Sequence, residues 1–527
     1  MRTEKKVINK LAPTLNAEAE PQSKEKTSAI PRLNLIRQLP TPEALQLIPE
    51  ALARQYKVIP LMVSGDRLEV AMADPGNILT IEALSARSKK RIEAVPASET
   101  DILEAIDFNY KAFGQIKEQL NTVAVEPEVS EQKIIADIAD DAPLARALSS
   151  IIEEAVKSRS SDIHIEPDEN KLRIRYRIDG TLHDVLSLPM SVHPSLMSRI
   201  KILGGMNIAD YRRPQDGQIS LNVANREIDI RVGTAYTVDG EMAVLRLLDK
   251  SLAVFSLPQL GFLPESQERY ERMLLAPYGM ILASGPTGAG KTTTLYASVN
   301  SLDRVGRHII TIEDPVEYRF EGMNQIQVNL RAGLTFATGL RSIVRLDPDV
   351  ILVGEIRDSD TTQIAIQAAL TGHLVLSSVH ANDSTGALFR LIDLGAEPFL
   401  VCSAVIGIVA QRMVRRVCPH CGRSTPVSLV EQTAYHKIMG EERKEFLVGA
   451  GCKNCTYTGY LGRVGIFEIL LMTDGIRQLT MSGAAASQVR AQAIEEGMAP
   501  LAKDGMLKAK AGITTPSEVV RNAYTMD

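Results

Sequence analysis

Tryptophan is absent from this chain of 527 residues, and aromatic residues together make up only 4% of it. Proteins that grip single-stranded nucleic acid stack the bases on aromatic rings, and there is little material here for such a platform. A positive excess is missing too. The net charge is −5 and the isoelectric point about 6.0, which argues against a global basic footprint for nucleic acid. Five cysteines in so long a chain are no disulfide framework. Long apolar runs are also lacking. Thr361 to Asn382 contains no Asp, Glu, Lys or Arg, but it carries Gln363, Gln367, His373 and several hydroxyls. The most apolar run, Phe399 to Ala410, falls short of the roughly 20 residues a bilayer requires. The opening MRTEKKVINKLAP has basic residues with no apolar stretch behind them, so no secretory signal is expected. A cytoplasmic protein follows, with any membrane contact peripheral. No internal repeat of fixed period stands out.

What is present describes an ordinary globular chain, 45% hydrophobic and 23% charged. At roughly 100–200 residues per domain, three to five domains are expected. Residues 1–30 mix charges with Pro, Ser and Asn and read as a tail. Residues 31–114 read as a small α/β domain. TPEALQLIPEALARQY has helical spacing (Leu45, Ile48, Leu52) behind a Thr41 cap, and KVIPLMVSGDRLEVAMAD reads as two strands around a Ser64-Gly65-Asp66 turn. Acids crowd residues 115–141, which suggests a solvated linker. A second module, 142–255, opens with a helix whose apolar face is Leu144, Leu148, Ile151, Ile152 and Ala155. KLRIRYRIDG and REIDIRVGTAY follow with strand alternation. A third module, 256–415, has the rhythm of a parallel α/β sheet. Cysteine pairs occupy 416–460, and a mostly helical segment, 461–527, ends the chain.

The strongest chemical signal is the run Gly285, Pro286, Thr287, Gly288, Ala289, Gly290, Lys291, Thr292 and Thr293, which fits the pattern G-x-x-x-x-G-K-[ST]. An apolar strand, GMILAS, precedes it and a helical segment follows. Glycines there let backbone N–H groups fold around phosphate oxygens at a helix N-terminus. Lys291 would reach the β- and γ-phosphates of ATP, and the Thr292 hydroxyl would ligate Mg²⁺. Asp349 to Glu355 reads as a buried strand ending in an acid, where P-loop ATPases keep a second carboxylate. Many families have Asp-Glu there; Gly354 takes the place of the Asp. Glu355 is then the candidate for orienting the attacking water, the alternative being a strand-end acid paired with Arg357. HIITIEDPVEY ends a strand at Glu313-Asp314-Pro315, with Glu317 beyond, as metal-positioning acids or as turn residues. His373 and His380 flank a further strand, and His380 is the better candidate for sensing the γ-phosphate.

The pairs Cys418/Cys421 and Cys452/Cys455 form two CxxC knuckles, enough thiolates for a tetrahedral Zn²⁺ site. Residues 422–451 separate them, more than the roughly 15–20 of common zinc ribbons. A redox pair is the alternative, though no thioredoxin-like context surrounds either motif. The insert is expected to lack apolar residues enough for its own core, so that metal binding would supply its folding free energy. Cys402, within FLVCSAVIGIVA, reads as a packed core residue.

The ordered series GPTGAGKTT, TIEDPVEY, LRSIVRLDPDVILVGEIRD and TGHLVLSSVHAND resembles the Walker A, aspartate-box, Walker B and histidine-box segments of the secretion ATPase superfamily, which powers type II secretion and type IV pilus assembly. The resemblance extends upstream through SSDIHIEP, RYRIDG and RRPQDGQI and downstream through the cysteine pairs and YLGRVGIFEIL, covering the chain from about Pro143 onward. It implies a RecA-like P-loop ATPase domain preceded by a PAS-like α+β domain and a small N-terminal α/β domain, with a zinc-binding insert and a helical C-terminus. It also implies a homohexamer whose ATP lies between the PAS-like and ATPase domains, with arginines of the former near the γ-phosphate. Arg199 and Arg212 look like those arginines, although Arg213 competes with Arg212 because Asn207-Ile-Ala-Asp-Tyr departs from the usual pattern. The implied partners are an inner-membrane platform protein and a cytoplasmic or membrane-bound recruitment protein that would dock on the N-terminal domain; no nucleic acid is expected. The alternative, a RecA-like nucleic-acid translocase, fits the composition poorly. Some relatives carry a cyclic-di-GMP site in the N-terminal domain on Arg-Leu-Gly segments; none occurs here, and that ligand is not expected. The zinc module and N-terminal domain favour an export or extension motor over a retraction motor.

Overall fold

The computed structural model describes residues 40–106, 110, 142–169, 171–223, 226–249, 256–456 and 458–523. The tail expected over 1–30 and the linker expected over 115–141 lie outside the described residues. The chain divides into two compact units, one holding most of 17–251 and the other most of 252–527.

In the first unit, helices Pro42–Leu47 and Glu50–Tyr56 precede β1 (Val58–Ser64), β2 (Arg67–Met72) and β3 (Arg91–Pro96), with helices Ile78–Ser88 and Glu99–Ile106 around that sheet. The pattern over 41–56 predicts one helix, and two form. Thr41 caps the first as expected, accepting the Ala44 N–H. Pro49 has no N–H to donate and sits extended as the N-cap of the second helix, so the turn cannot run through. Ala44, Ile48 and Ala53 are buried against Val58, Ile59, Val70 and Ala71.

The same unit holds a second sheet. Helix Ala142–Lys157 leads into β4 (Ser160–Asp168), β5 (Lys171–Ile178) and β6 (Thr181–Pro189). Helix His193–Leu203 then leads to β7 (Gln215–Val223), β8 (Arg226–Thr237) and β9 (Gly240–Asp249). These six strands form an antiparallel sheet in the order β6-β5-β4-β9-β8-β7. The sequence alternation in β5 becomes strict: Leu172, Ile174, Tyr176 and Ile178 are buried, and Lys171, Arg173, Arg175 and Arg177 face outward. The expected apolar face of the first helix packs on that core, and the Tyr176 hydroxyl donates to the Ile151 carbonyl at 2.6 Å.

The second unit is built on seven strands: β10 (Gly279–Ser284), β11 (Ile309–Glu313), β12 (Asn324–Gln327), β13 (Val350–Val353), β14 (Leu374–Val379), β15 (Val405–Val417) and β18 (Tyr460–Leu471). The order is β12-β11-β13-β14-β10-β15-β18, parallel except for β18. Continuous apolar runs such as MILA and VILV arise because helices cover both faces. Met280, Leu282, Ile351 and Val353 enter one core, and Ile281, Ala283, Val350 and Leu352 enter the other. The sheet also runs past the sequence-predicted limit of 415. β15 and β18 pair along ten register positions, so the cysteine module is inserted between two neighbouring strands of the same sheet. Its own strands, β16 (Gly422–Pro426) and β17 (Glu445–Gly449), pair antiparallel around helix Leu429–Met439. Helices follow β18: Asp474–Met481, Ala486–Glu495, Leu501–Lys510 and Pro516–Ala523. Among the described residues, no helix is long and apolar enough to cross a membrane.

Candidate active site and metal centre

β10 is buried throughout and ends at Ser284, where the chain turns into the loop 285–290 before helix Lys291–Ser301. Gly285, Gly288 and Gly290 have φ of 151°, 78° and 87°. Gly288 and Gly290 are left-handed, a conformation that side chains strain to adopt. Space also selects glycine at 285, where a Cβ would lie 2.6 Å from the Gln411 carbonyl oxygen. The loop therefore curls tightly, with Pro286, Thr287 and Gly288 exposed and Ala289 buried. Lys291, first residue of the helix, turns its ammonium to the Gly285 and Pro286 carbonyls at 2.8 and 3.2 Å. Burial holds its pKa below the ordinary value, the nearby Glu355 pulls it up, and Arg412 pushes it down. Thr292 is exposed and Thr293 half-buried.

Glu355 and His380 meet here. One Glu355 carboxylate oxygen lies 3.4 Å from His380 Nε2 and the other 2.6 Å from Arg357. The pairing with Arg357, one reading of Glu355, is thus present, and the carboxylate, two residues beyond β13, also acts on the Lys291 ammonium. Ser377 and Ser378 on β14 fix this strand end by donating to the Val353 and Gly354 carbonyls, each at 2.8 Å. His373 stays apart at the other end of β14, bonded through Nδ1 to the Ala368 carbonyl.

Glu313 is placed differently. It is 3% exposed and accepts hydrogen bonds from Thr311, Gln325 and Tyr296, all neutral donors. Tyr296 belongs to the helix after the phosphate loop, so Glu313 joins that helix to β11. The Tyr296 phenol is pushed far above its usual range by burial, then by this carboxylate.

Two residues that sequence reasoning did not single out line the loop. Gln411 on β15 donates to the Ala289 carbonyl at 2.7 Å. Arg412 donates to the Gln411 and Asn382 carbonyls at 3.1 and 2.6 Å. The available signal was a Gln-Arg pair in an otherwise apolar run. Arg199 and Arg212 lie in the other unit. Arg199 is half-buried on helix His193–Leu203, its Nε without a hydrogen-bond partner. Arg212 is exposed over the Tyr211 ring at 5.5 Å, and Arg213 faces Asp210 at 3.7 Å.

The four predicted metal ligands converge. The sulfurs of Cys418, Cys421, Cys452 and Cys455 all lie within 4.8 Å of one another, and none is in a disulfide. Zn–S bonds of about 2.3 Å in a tetrahedron put sulfurs about 3.8 Å apart. The Cys452–Cys455 separation is 3.8 Å, so the donor set fits Zn²⁺. At the base, a Cβ on Gly449 would lie 1.9 Å from the Gly459 carbonyl oxygen, so two glycines let the chain cross itself. Cys418 N–H donates to Gly459 and Ala450 N–H to Cys421, which orders both knuckles. The insert contributes Ala434, Tyr435 and Phe446 to a core that is completed by Met506, Ala509 and Val519 of the final helices. Cys402 is buried as expected, its thiol pKa raised by burial.

Family comparison agrees with this geometry. The model described as "Type II/IV secretion system protein" matches residues 137–521. The chain belongs to the type II/IV secretion system protein family. It is an ATPase of that family. The MshEN domain matches residues 28–115. Among relatives, a type IV pilus assembly ATPase PilB of Myxococcus xanthus is 40% identical over 94% of this chain and 89% of its own. A type II secretion system protein E of Klebsiella pneumoniae is also 40% identical, over 92% of this chain and 98% of its own. The crystal structure of the Legionella pneumophila ATPase DotB, 19% identical, aligns with a TM-score of 0.53 over 71% of this chain and 94% of that one, a likeness of fold.

Proposed function

We propose that this chain is the hexameric motor of a type II secretion or type IV pilus assembly machine, attached to the inner membrane through a platform protein and a recruitment protein that docks on its N-terminal domain. The observation that carries the reading is the left-handed glycine loop closing on Lys291 with the Glu355–His380 pair beside it. In this reading the loop N–H groups and Lys291 bind the ATP phosphates, and the Thr292 hydroxyl holds Mg²⁺, which would neutralise phosphate charge. Glu355 orients water and His380 senses the γ-phosphate. Glu313 supports from within, setting the helix that begins at Lys291. Arg199 and Arg212 approach the γ-phosphate from the preceding domain, where such a charge contributes up to about 10³–10⁵ in other NTPases. Zn²⁺ holds the cysteine module as a structural metal, since four thiolates leave no open coordination position.

Phosphate release by the purified full-length chain tests this directly. Lys291→Ala should lose ATP binding, whereas Glu355→Gln should keep near-normal affinity with turnover lowered about 10²–10⁴, the range for a positioned acid–base group. Wild-type turnover in the lysine variant would refute the phosphate site. Equal loss of binding and turnover in the glutamine variant would assign Glu355 a structural role.

A further inference from the structure

Strand β15 does more than carry the chain out of the sheet. It runs beside β10, and its backbone lies against the start of the phosphate loop, where only a glycine fits at 285. Gln411 is 1% exposed on this strand, among the buried residues Ile408, Val409, Ala410 and Val414. Its Nε2 donates to the Ala289 carbonyl, in the middle of the loop, and its Oε1 is buried without a hydrogen-bond partner. An amide half satisfied in a core is costly, and a position serving only to pack would be filled better by Leu or Met. The bond to the Ala289 carbonyl is what its amide offers beyond packing. Next along the strand, Arg412 reaches the other way, to the Asn382 carbonyl two residues beyond His380. Ser284, the last residue of β10, donates to Ala381 in the same segment at 3.2 Å.

We propose that Gln411 and Arg412 are positioning residues for ATP hydrolysis: Gln411 holds the phosphate loop in its cradle shape through Ala289, and Arg412 fixes the chain after His380 to the same strand. Carbonyl 289 turned away by Gln411 leaves the neighbouring loop N–H groups free to face an anion. Arg412 keeps His380 in register with Glu355. The two sides of the site thus take their spacing from adjacent residues of one strand. This inference rests on reading the loop as the ATP site.

The test is steady-state turnover and MgATP binding by the full-length chain, with wild type measured alongside. Gln411→Met keeps the volume and removes the donor. It should raise KM about tenfold, the effect of losing one hydrogen bond, while kcat changes much less. Gln411→Glu donates only when protonated, so its KM should recover as the pH is lowered, a profile that wild type does not share. Arg412→Gln should act mainly on kcat, and Arg412→Lys should restore part of it. Wild-type KM in Gln411→Met together with wild-type kcat in Arg412→Gln would overturn the proposal. So would failure of both Gln411 variants to fold, which would assign the residue to the core. A wild-type chain that releases no phosphate would refute the reading of the site itself and this inference with it.

Discussion

A Cβ at residue 354 would lie 3.3 Å from both the Glu313 Cα and the Ile312 carbonyl oxygen, tighter than ordinary packing. That approach accounts for glycine where many P-loop ATPases keep an acid, and Glu355 next to it is the carboxylate that acts on Lys291. Elsewhere a single residue sets a pH dependence. His164 on β4 lies beside Glu166 at 3.3 Å, with Arg177 at 3.4 Å on its other ring nitrogen. Burial is the main reason its pKa falls below 6.5; Arg177 and Arg175 push it further down, and Glu166 and Asp162 oppose them. Folded protein then binds fewer protons than unfolded chain between the lowered pKa and 6.5, so stability is lost as the pH falls through that window and regained above it. Opening of β4 and β5, read from amide hydrogen exchange corrected for its intrinsic slowing in acid, should accelerate on acidification from about pH 7.5 to about 5.5, and His164→Gln should blunt the change. An identical acceleration in the variant would exonerate His164.

Among the elements, the cysteine module shows how a four-thiol cluster and an apolar core share one task. Its helix and hairpin place Tyr435 and Phe446 edge to face, with ring centroids 5.0 Å apart, against the helices Leu501–Lys510 and Pro516–Ala523. Those helices are tied to the ATPase sheet in turn. Lys508 is buried, donates to the Gly465 carbonyl at 2.7 Å and pairs with Asp504, while burial pushes the Lys508 pKa down and that of Asp504 up. Glu468, fully buried on β18, gathers Arg490, Ser384 and the Leu501 N–H. Replacing Cys418 and Cys421 with Ser should therefore loosen more than the knuckles. Hydrogen exchange should rise across 418–459 and also in 501–523, with MgATP affinity retained. Metal analysis of wild type should give about one Zn²⁺ per chain, the content of one four-thiolate site. Metal-free protein with a Cys–Cys bond in each pair would favour redox chemistry instead.

At the scale of the whole molecule, three main sheets share no strands, so each can close its own hydrogen-bond ladder. Deleting residues 1–140 should leave the β4–β9 sheet and the ATPase sheet folded and able to turn over ATP, but secretion or piliation in cells should fail for want of docking. A truncated chain that still supports either process would refute the docking role. The glycine loop, the convergence of the four cysteines and the acid just past an apolar strand were legible in the sequence because each is local: a few residues with the required backbone freedom or side chain at fixed spacing. Tertiary structure alone decided the rest. β18 joins the ATPase sheet through pairing with β15 across more than forty intervening residues, a distance at which periodicity carries no information. Glu313 meets Gln325, and Gln411 meets Ala289, because neighbouring strands bring them together, and Glu313 meets Tyr296 through the helix that follows β10. The insert, too poor in apolar residues for a core of its own, shares one with the last two helices. Local backbone chemistry wrote the motifs, and burial of surfaces from distant segments determined what holds them in place.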